Sequence, residues 1–126
     1  MDKNKVLLVE DDAVLAKVLY EELGEAGFDV TQAYDGEVGL RMAGEKKPDL
    51  VLLDILLPKR NGFEVLENLK KSPGTKDIPV MILTMLGSDD DVKRGINLGA
   101  SDYIVKSQHA VDEIVDKVKN FLGKKV

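Results

Sequence analysis

A doubly wound α/β domain on a single parallel sheet is the fold class this sequence predicts, and three observations predict it. Five short apolar runs alternate with five segments of helical period. One run, Leu50 to Leu53, is apolar without a break, as expected of a strand buried on both faces. Four of the five runs end in, or lead straight into, a polar side chain: Glu10 and Asp11, Asp54, Thr84 and Lys106. Such alternation implies parallel strands joined by right-handed crossovers, with helices on both faces. Chain length and element count then give a five-stranded sheet of flavodoxin-like order, 2-1-3-4-5.

In chain order, Val6 to Val9 is the first strand and ends in three acids, Glu10, Asp11 and Asp12. Val14, Leu15, Val18, Leu19 and Leu23 then recur at helical spacing, with Asp12 placed as N-cap and Gly24 and Gly27 near the end. Phe28 to Tyr34 reads as a less hydrophobic strand and Asp35-Gly36 as a turn. Glu37 to Lys46 has helical composition, with Val38, Leu40 and Met42 as packing residues. Gly39 and Gly44 each cost a helix interior about 1 kcal/mol relative to alanine, so this helix is expected to be short or loose. Lys47-Pro48 ends it. The central strand runs to Asp54, Pro58 to Gly62 is a loop, and Phe63 to Lys71 is a helix burying Phe63, Leu66 and Leu69. Ser72-Pro73-Gly74 stops that helix, and Pro79 to Thr84 is the fourth strand. Ser88 to Asn97 is a helix whose first turn carries Asp89, Asp90 and Asp91, the end of the dipole that favours negative charge. Tyr103 to Val105 is the fifth strand, with Lys106 directly after it. The last helix, Ala110 to Leu122, presents Val111, Ile114, Val115, Val118, Phe121 and Leu122, and a frayed end, Gly123 to Val126, follows.

Composition narrows the function classes. The chain has 126 residues, 44% hydrophobic and 33% charged, which suits one domain with one sheet and its core. No apolar run approaches the roughly 18 residues of a membrane span. No apolar segment of a secretory signal follows Met1, so a cytoplasmic location is expected. There is no cysteine and a single histidine, which excludes disulfides, thiolate sites and histidine-cluster metal sites. A net charge of −5 argues against general nucleic-acid binding through phosphates.

In a parallel sheet the polar residues at four strand ends share one edge, the edge where ligands bind in open α/β sheets. Asp54 is at the end of the central strand. Two like charges about 4 Å apart repel by about 4 kcal/mol at an effective dielectric near 20, so Glu10, Asp11 and Asp54 together call for a proton or a cation. An all-oxygen set suits Mg²⁺, with Mn²⁺ as the alternative, over zinc. Lys106 adds a fixed positive charge and Thr84 a hydroxyl. A carboxylate nucleophile, a divalent ion, a lysine and a hydroxyl suit phosphoryl transfer onto Asp54.

At this point the sequence resembles the receiver domains of two-component response regulators, over essentially its whole length. The matching segments are Val6 to Asp12, Pro48 to Pro58 with Asn61 to Leu66, Ile78 to Thr84, and Leu98 to Lys106. The resemblance implies that Asp54 is the phosphoacceptor for a histidine kinase or a histidine phosphotransfer protein. It implies that Glu10, Asp11, Asp54 and the main-chain carbonyl of Leu56 hold Mg²⁺. Thr84 and Lys106 would bind the phosphoryl oxygens, and Thr84 and Tyr103 would form the switch. The fourth helix, fifth strand and fifth helix would be the output face toward a partner that the sequence does not name. A monomer or a phosphorylation-dependent dimer is implied, with slow self-catalysed dephosphorylation at most rather than enzymatic turnover. One receiver domain spanning residues 1–126, without an output domain, is expected.

Two positions depart from the family pattern. Ser107 stands where proline commonly follows the lysine, and is expected to cap the last helix. Met85 follows the threonine where a small residue is usual, and is expected to narrow access to the phosphoryl group. Plainer roles are assigned to His109 as a surface residue, to Asp89, Asp90 and Asp91 as helix-start charge, and to Lys59, Arg60, Lys124 and Lys125 as solvated charges. Other functions make demands of their own on these positions. An aspartate-nucleophile phosphatase of haloacid-dehalogenase type needs a second acid where Leu56 stands. A flavin or nucleotide binder would meet phosphate repulsion from Glu10, Asp11 and Asp12. A receiver-like interaction module that is never phosphorylated stays open.

Overall fold

A computed structural model describes residues 4–123 of the chain; Met1 to Lys3 lie outside them, as do Lys124, Lys125 and Val126 of the expected frayed end. Five parallel strands, β1 (Lys5–Val9), β2 (Asp29–Ala33), β3 (Leu50–Leu53), β4 (Val80–Thr84) and β5 (Asp102–Val105), pair in the order β2-β1-β3-β4-β5. Between and after them run α1 (Ala13–Glu25), α2 (Gly36–Lys46), α3 (Gly62–Lys71), α4 (Asp89–Asn97) and α5 (Val111–Gly123), with a single 3-10 turn, Lys106–Gln108, ahead of α5. The fold class and the strand order match the expectation.

The two-residue period of the strands divides the core. Val6, Leu8, Leu50, Leu52, Leu83 and Ile104 face one side, where Leu19, Leu23, Ile114, Val118 and Leu122 of α1 and α5 cover them. Leu7, Val9, Val51, Leu53, Val80 and Ile82 face the other, under Ala43, Phe63, Leu66 and Leu69 of α2 and α3. Each fully buried leucine contributes about 1.5–3 kcal/mol over its exposed state, which is why the unbroken apolar run of β3 belongs at the centre.

Helix starts follow short polar side chains. The Asp12 carboxylate accepts from the Val14 and Leu15 N–H groups, Asp35 from Val38, Asn61 from Phe63 and Ser88 from Asp91. Two expectations are corrected. Val14 is 76% exposed, and Ala16, two positions and so about 200° further round the helix, takes the inward place with Leu19 and Leu23. The second helix is neither short nor loose: α2 has 11 residues, its fully buried positions are Gly36, Gly39 and Ala43, and Val38, Leu40 and Met42 pack half-buried against the same core, as expected. A Cβ on Gly39 would come 3.0 Å from Val9 Cγ1, so the glycine that lowers helix propensity lets α2 close onto β1.

Register sets the site. Val9 is opposite Leu53, and Leu53 opposite Ile82. The ladder continues one residue beyond the strands: the Glu10 N–H donates to the Ala33 carbonyl at 3.0 Å and the Asp54 N–H to the Val9 carbonyl at 3.0 Å. Glu10 and Asp54 therefore leave adjacent strands side by side.

Candidate functional site

Glu10, Asp11 and Asp54 each bring a carboxylate oxygen within 4.8 Å of the other two. Glu10 is 1% exposed and Asp54 4%, whereas Asp11 is exposed. Lys106, leaving the end of β5, places its Nζ 2.8 Å from Glu10 Oε1 and 2.9 Å from Asp54 Oδ2. Asp54 Oδ1 accepts from the Leu56 N–H at 3.2 Å, and Glu10 Oε2 from the Asp12 N–H at 3.1 Å. Glu10 Oε1 meets Lys106 as an ion pair but has no aligned hydrogen-bond donor.

The site thus packs three acids around one ammonium, which leaves an excess of negative charge and a buried oxygen without a directed partner. That donor set fits a hard divalent cation: oxygens alone, close enough to converge, with one acid open to solvent.

Burial pushes the Glu10 carboxyl up; the Lys106 contact pulls it back and the Asp54 charge raises it again, so that its pKa is about 7 against an ordinary 4.5. Burial alone would lower the Lys106 ammonium, but its contacts with Glu10 and Asp54 outweigh that and hold it above the ordinary lysine value. The Glu10 shift has a consequence for stability. Between pH 4.5 and about 7 the folded protein keeps a proton on Glu10 that the unfolded chain has released. In the absence of divalent ions this contribution is fully present below pH 4.5 and is lost as pH rises through about 7, at most about 3 kcal/mol. Urea midpoints of the ion-free protein from pH 5 to 8 should fall with this slope, and Glu10→Gln should flatten it.

Thr84 and Tyr103 are joined through a residue the sequence did not single out. The Leu86 N–H reaches Thr84 Oγ1 at 3.4 Å, and the Tyr103 hydroxyl donates to the Leu86 carbonyl at 2.6 Å. Thr84 is fully buried at the end of β4, and the Tyr103 ring is half-buried. Burial, then the charges of Asp91 and Asp54, push the Tyr103 phenol up to about 12. No sequence signal marks Leu86, because its part is played by the main chain.

Ser107 does not cap the last helix. It is exposed within the 3-10 turn, and the Glu113 carboxylate instead accepts from the Ala110 N–H at 2.9 Å. A cap at Ser107 would need α5 to begin at Gln108, but Gln108 belongs to the 3-10 turn and α5 begins only at Val111. Met85 is 57% exposed on the rim beside Thr84. His109 is partly covered, with Nδ1 3.6 Å from Glu113.

Comparison with known proteins gives a consistent picture. The family model for the response regulator receiver domain matches residues 6–119. The DNA-binding dual master transcriptional regulator RpaA of Synechocystis is 39% identical over 118 residues, 94% of this chain and 48% of that protein. The chain spans about half the length of the curated relatives it matches. A response regulator receiver domain protein of Methanospirillum hungatei superposes with a TM-score of 0.87 at 27% identity, covering 98% of this chain and 96% of the other. The phosphorylated cyanobacterial phytochrome response regulator RcpA does so with a TM-score of 0.83 at 30% identity, covering 99% and 97%.

Proposed function

The chain belongs to the response regulator receiver domains, and from that premise we propose that it is a phosphorylation-dependent switch whose acceptor is Asp54. The phosphoryl donor is a histidine kinase or a histidine phosphotransfer protein. The observation that carries the reading is the Asp54 carboxylate, held at the end of β3 between Lys106 and the acidic pair Glu10 and Asp11. Phosphorylation of the similar RcpA supports it.

In the transfer step an Asp54 carboxylate oxygen attacks phosphorus, the phosphorus–nitrogen bond of the donor breaks, and its electron pair returns to the imidazole nitrogen. The product is an acyl phosphate on Asp54. Lys106 releases Asp54 Oδ2 and pairs with a phosphoryl oxygen, so its charge stays compensated while the site turns over. The Thr84 hydroxyl hydrogen-bonds a second phosphoryl oxygen. Glu10, Asp11, Asp54 and the Leu56 carbonyl would hold Mg²⁺ or Mn²⁺. When bound, the cation supplies the positive charge that lets three acids and a phosphoryl group share one edge. The Leu56 side chain cannot move a proton, so turnover as a phosphatase has no general acid or base at that position.

Phosphorylation adds roughly −1.5 to −2 charges near neutral pH. The Thr84 hydroxyl is drawn toward them, the Leu86 carbonyl moves with the same loop, and Tyr103 follows its hydrogen bond. The surface of α4, β5 and α5 is then presented differently to a partner, and each tenfold shift in population takes about 1.4 kcal/mol. Receipt of a kinase's phosphoryl group in this way fits a cytoplasmic receiver domain that acts through binding, as a monomer or a phosphorylation-dependent dimer.

The test is a heteronuclear NMR titration with Mg²⁺ and beryllofluoride. Shifts should appear around Asp54 and then in α4, β5 and α5. Shifts confined to the metal ligands would contradict the switch. Met85 supplies a further expectation: Met85→Ala should raise phosphorylation by a small donor, hydrolysis, or both by about three- to tenfold, roughly 1 kcal/mol of barrier. Equal rates in the two proteins would show that Met85 does not gate the site.

A further inference from the structure

The fourth helix meets the sheet through a hole rather than a side chain. Gly95 is the only buried residue of α4. A Cβ built there would come 2.6 Å from Ile82 Cδ1, and 2.9 and 3.1 Å from Tyr103 Cδ2 and Cε2. The space a side chain would occupy is therefore filled by the edge of the Tyr103 ring and the tip of Ile82. We infer that Gly95 is a positioning residue that creates the inward seat of Tyr103, and so sets how far the ring can follow Thr84. The functional half of this inference rests on the switch reading above; the seat itself does not.

The geometry says which group must give way. Ile82 is fully buried in a packed core. The helix cannot easily retreat: the Ala100 N–H bonds the Gly95 carbonyl at 3.1 Å, and the Ser101 N–H ties the following turn to the Val80 carbonyl at 2.7 Å. The Arg94 guanidinium lies 4.3 Å from the centroid of the Phe63 ring, which holds α4 against α3. The Tyr103 ring is only half-buried and is bound to the loop by one hydroxyl. An alanine at position 95 therefore expels the ring and breaks its bond to the Leu86 carbonyl. The helix itself gains from the change, since alanine is the better helix former. A glycine kept at an interior helical position against that preference is explained by the ring it admits.

Fluorotyrosine labelling tests this, with ¹⁹F resonances for Tyr20, Tyr34 and Tyr103 assigned through Tyr103→Phe. In the unmodified protein the Tyr103 resonance should show a small solvent isotope shift between H₂O and D₂O. In Gly95→Ala it should rise to the values of the exposed Tyr20 and Tyr34. An unchanged Tyr103 resonance in a folded Gly95→Ala protein overturns the inference. If that variant does not fold, Gly95→Ala with Ile82→Val removes the 2.6 Å overlap but keeps the overlap with the ring, and the same two readings apply. Addition of Mg²⁺ and beryllofluoride then separates seat from switch. The mimic should seat Tyr103 more fully in the unmodified protein, lowering its isotope shift further, and leave it outward in Gly95→Ala, with uptake at Asp54 unchanged within about twofold, since Gly95 does not touch the acceptor. A variant whose ring responds to the mimic as the unmodified protein's does overturns the inference. If the mimic moves the ring in neither protein while Gly95→Ala alone displaces it, the seat stands and the switch reading falls.

Discussion

Asp54→Asn should abolish phosphoryl uptake entirely while leaving the protein folded. The amide has nearly the shape of the carboxylate but no lone pair basic enough to attack phosphorus, so there is no residual rate to recover. Stability should change in the opposite sense to a usual core substitution. Asp54 is 4% exposed beside a second buried acid, and its charge is one of the causes that raise Glu10. Removing it relieves that repulsion and leaves Lys106 to Glu10 alone, 2.8 Å away. In the absence of divalent ions the variant should be as stable as the parent or up to about 1 kcal/mol more stable above pH 7, where Glu10 is ionised. Urea midpoints at pH 8 with chelator, read beside intact mass after exposure to donor, check both halves.

Lys106→Met should have the largest cost to stability of any substitution at the site. The methionine keeps much of the stem's volume and removes the charge. Glu10 and Asp54 are then buried together with no cation between them, and breaking a buried pair in this way typically costs about 3–5 kcal/mol. The loss should be smaller near pH 5, because Glu10 already carries its proton there. It should also be partly restored by Mg²⁺, which stabilises the folded form by mass action. Denaturant midpoints at pH 5 and 8, with and without Mg²⁺, separate these contributions. A loss independent of both pH and metal would mean that Lys106 serves packing rather than charge balance.

Features written in single side chains were legible in the sequence. Asp12 reads as a cap from its short polar side chain ahead of a helical period, and it accepts the Val14 and Leu15 N–H groups. The buried character of β3 followed from its unbroken apolar run, and the convergence of Glu10, Asp11, Asp54 and Lys106 followed from parallel strand ends. What was not legible depends on close approach of backbones or on main-chain partners. Gly39 reads as a helix weakener until Val9 is seen against it. Val14 stands at helical spacing from Val18, yet the inward face of α1 is centred on Ala16, Leu19 and Leu23 and leaves it outside. Leu86 joins Thr84 to Tyr103 through an amide and a carbonyl that any residue would supply. Ser107 has capping chemistry, but a 3-10 turn takes up the residues after β5 and leaves Glu113 to satisfy the start of α5.

The central claim is chemical, and one measurement meets it directly: the protein is incubated with a small acyl-phosphate or phosphoramidate donor, trapped by borohydride reduction, and mapped by peptide mass. The account predicts one phosphoryl group per chain in the presence of Mg²⁺, none with chelator, and a reduced residue at Asp54. A site other than Asp54, or no adduct under conditions where the beryllofluoride mimic also leaves the protein unchanged, would contradict it.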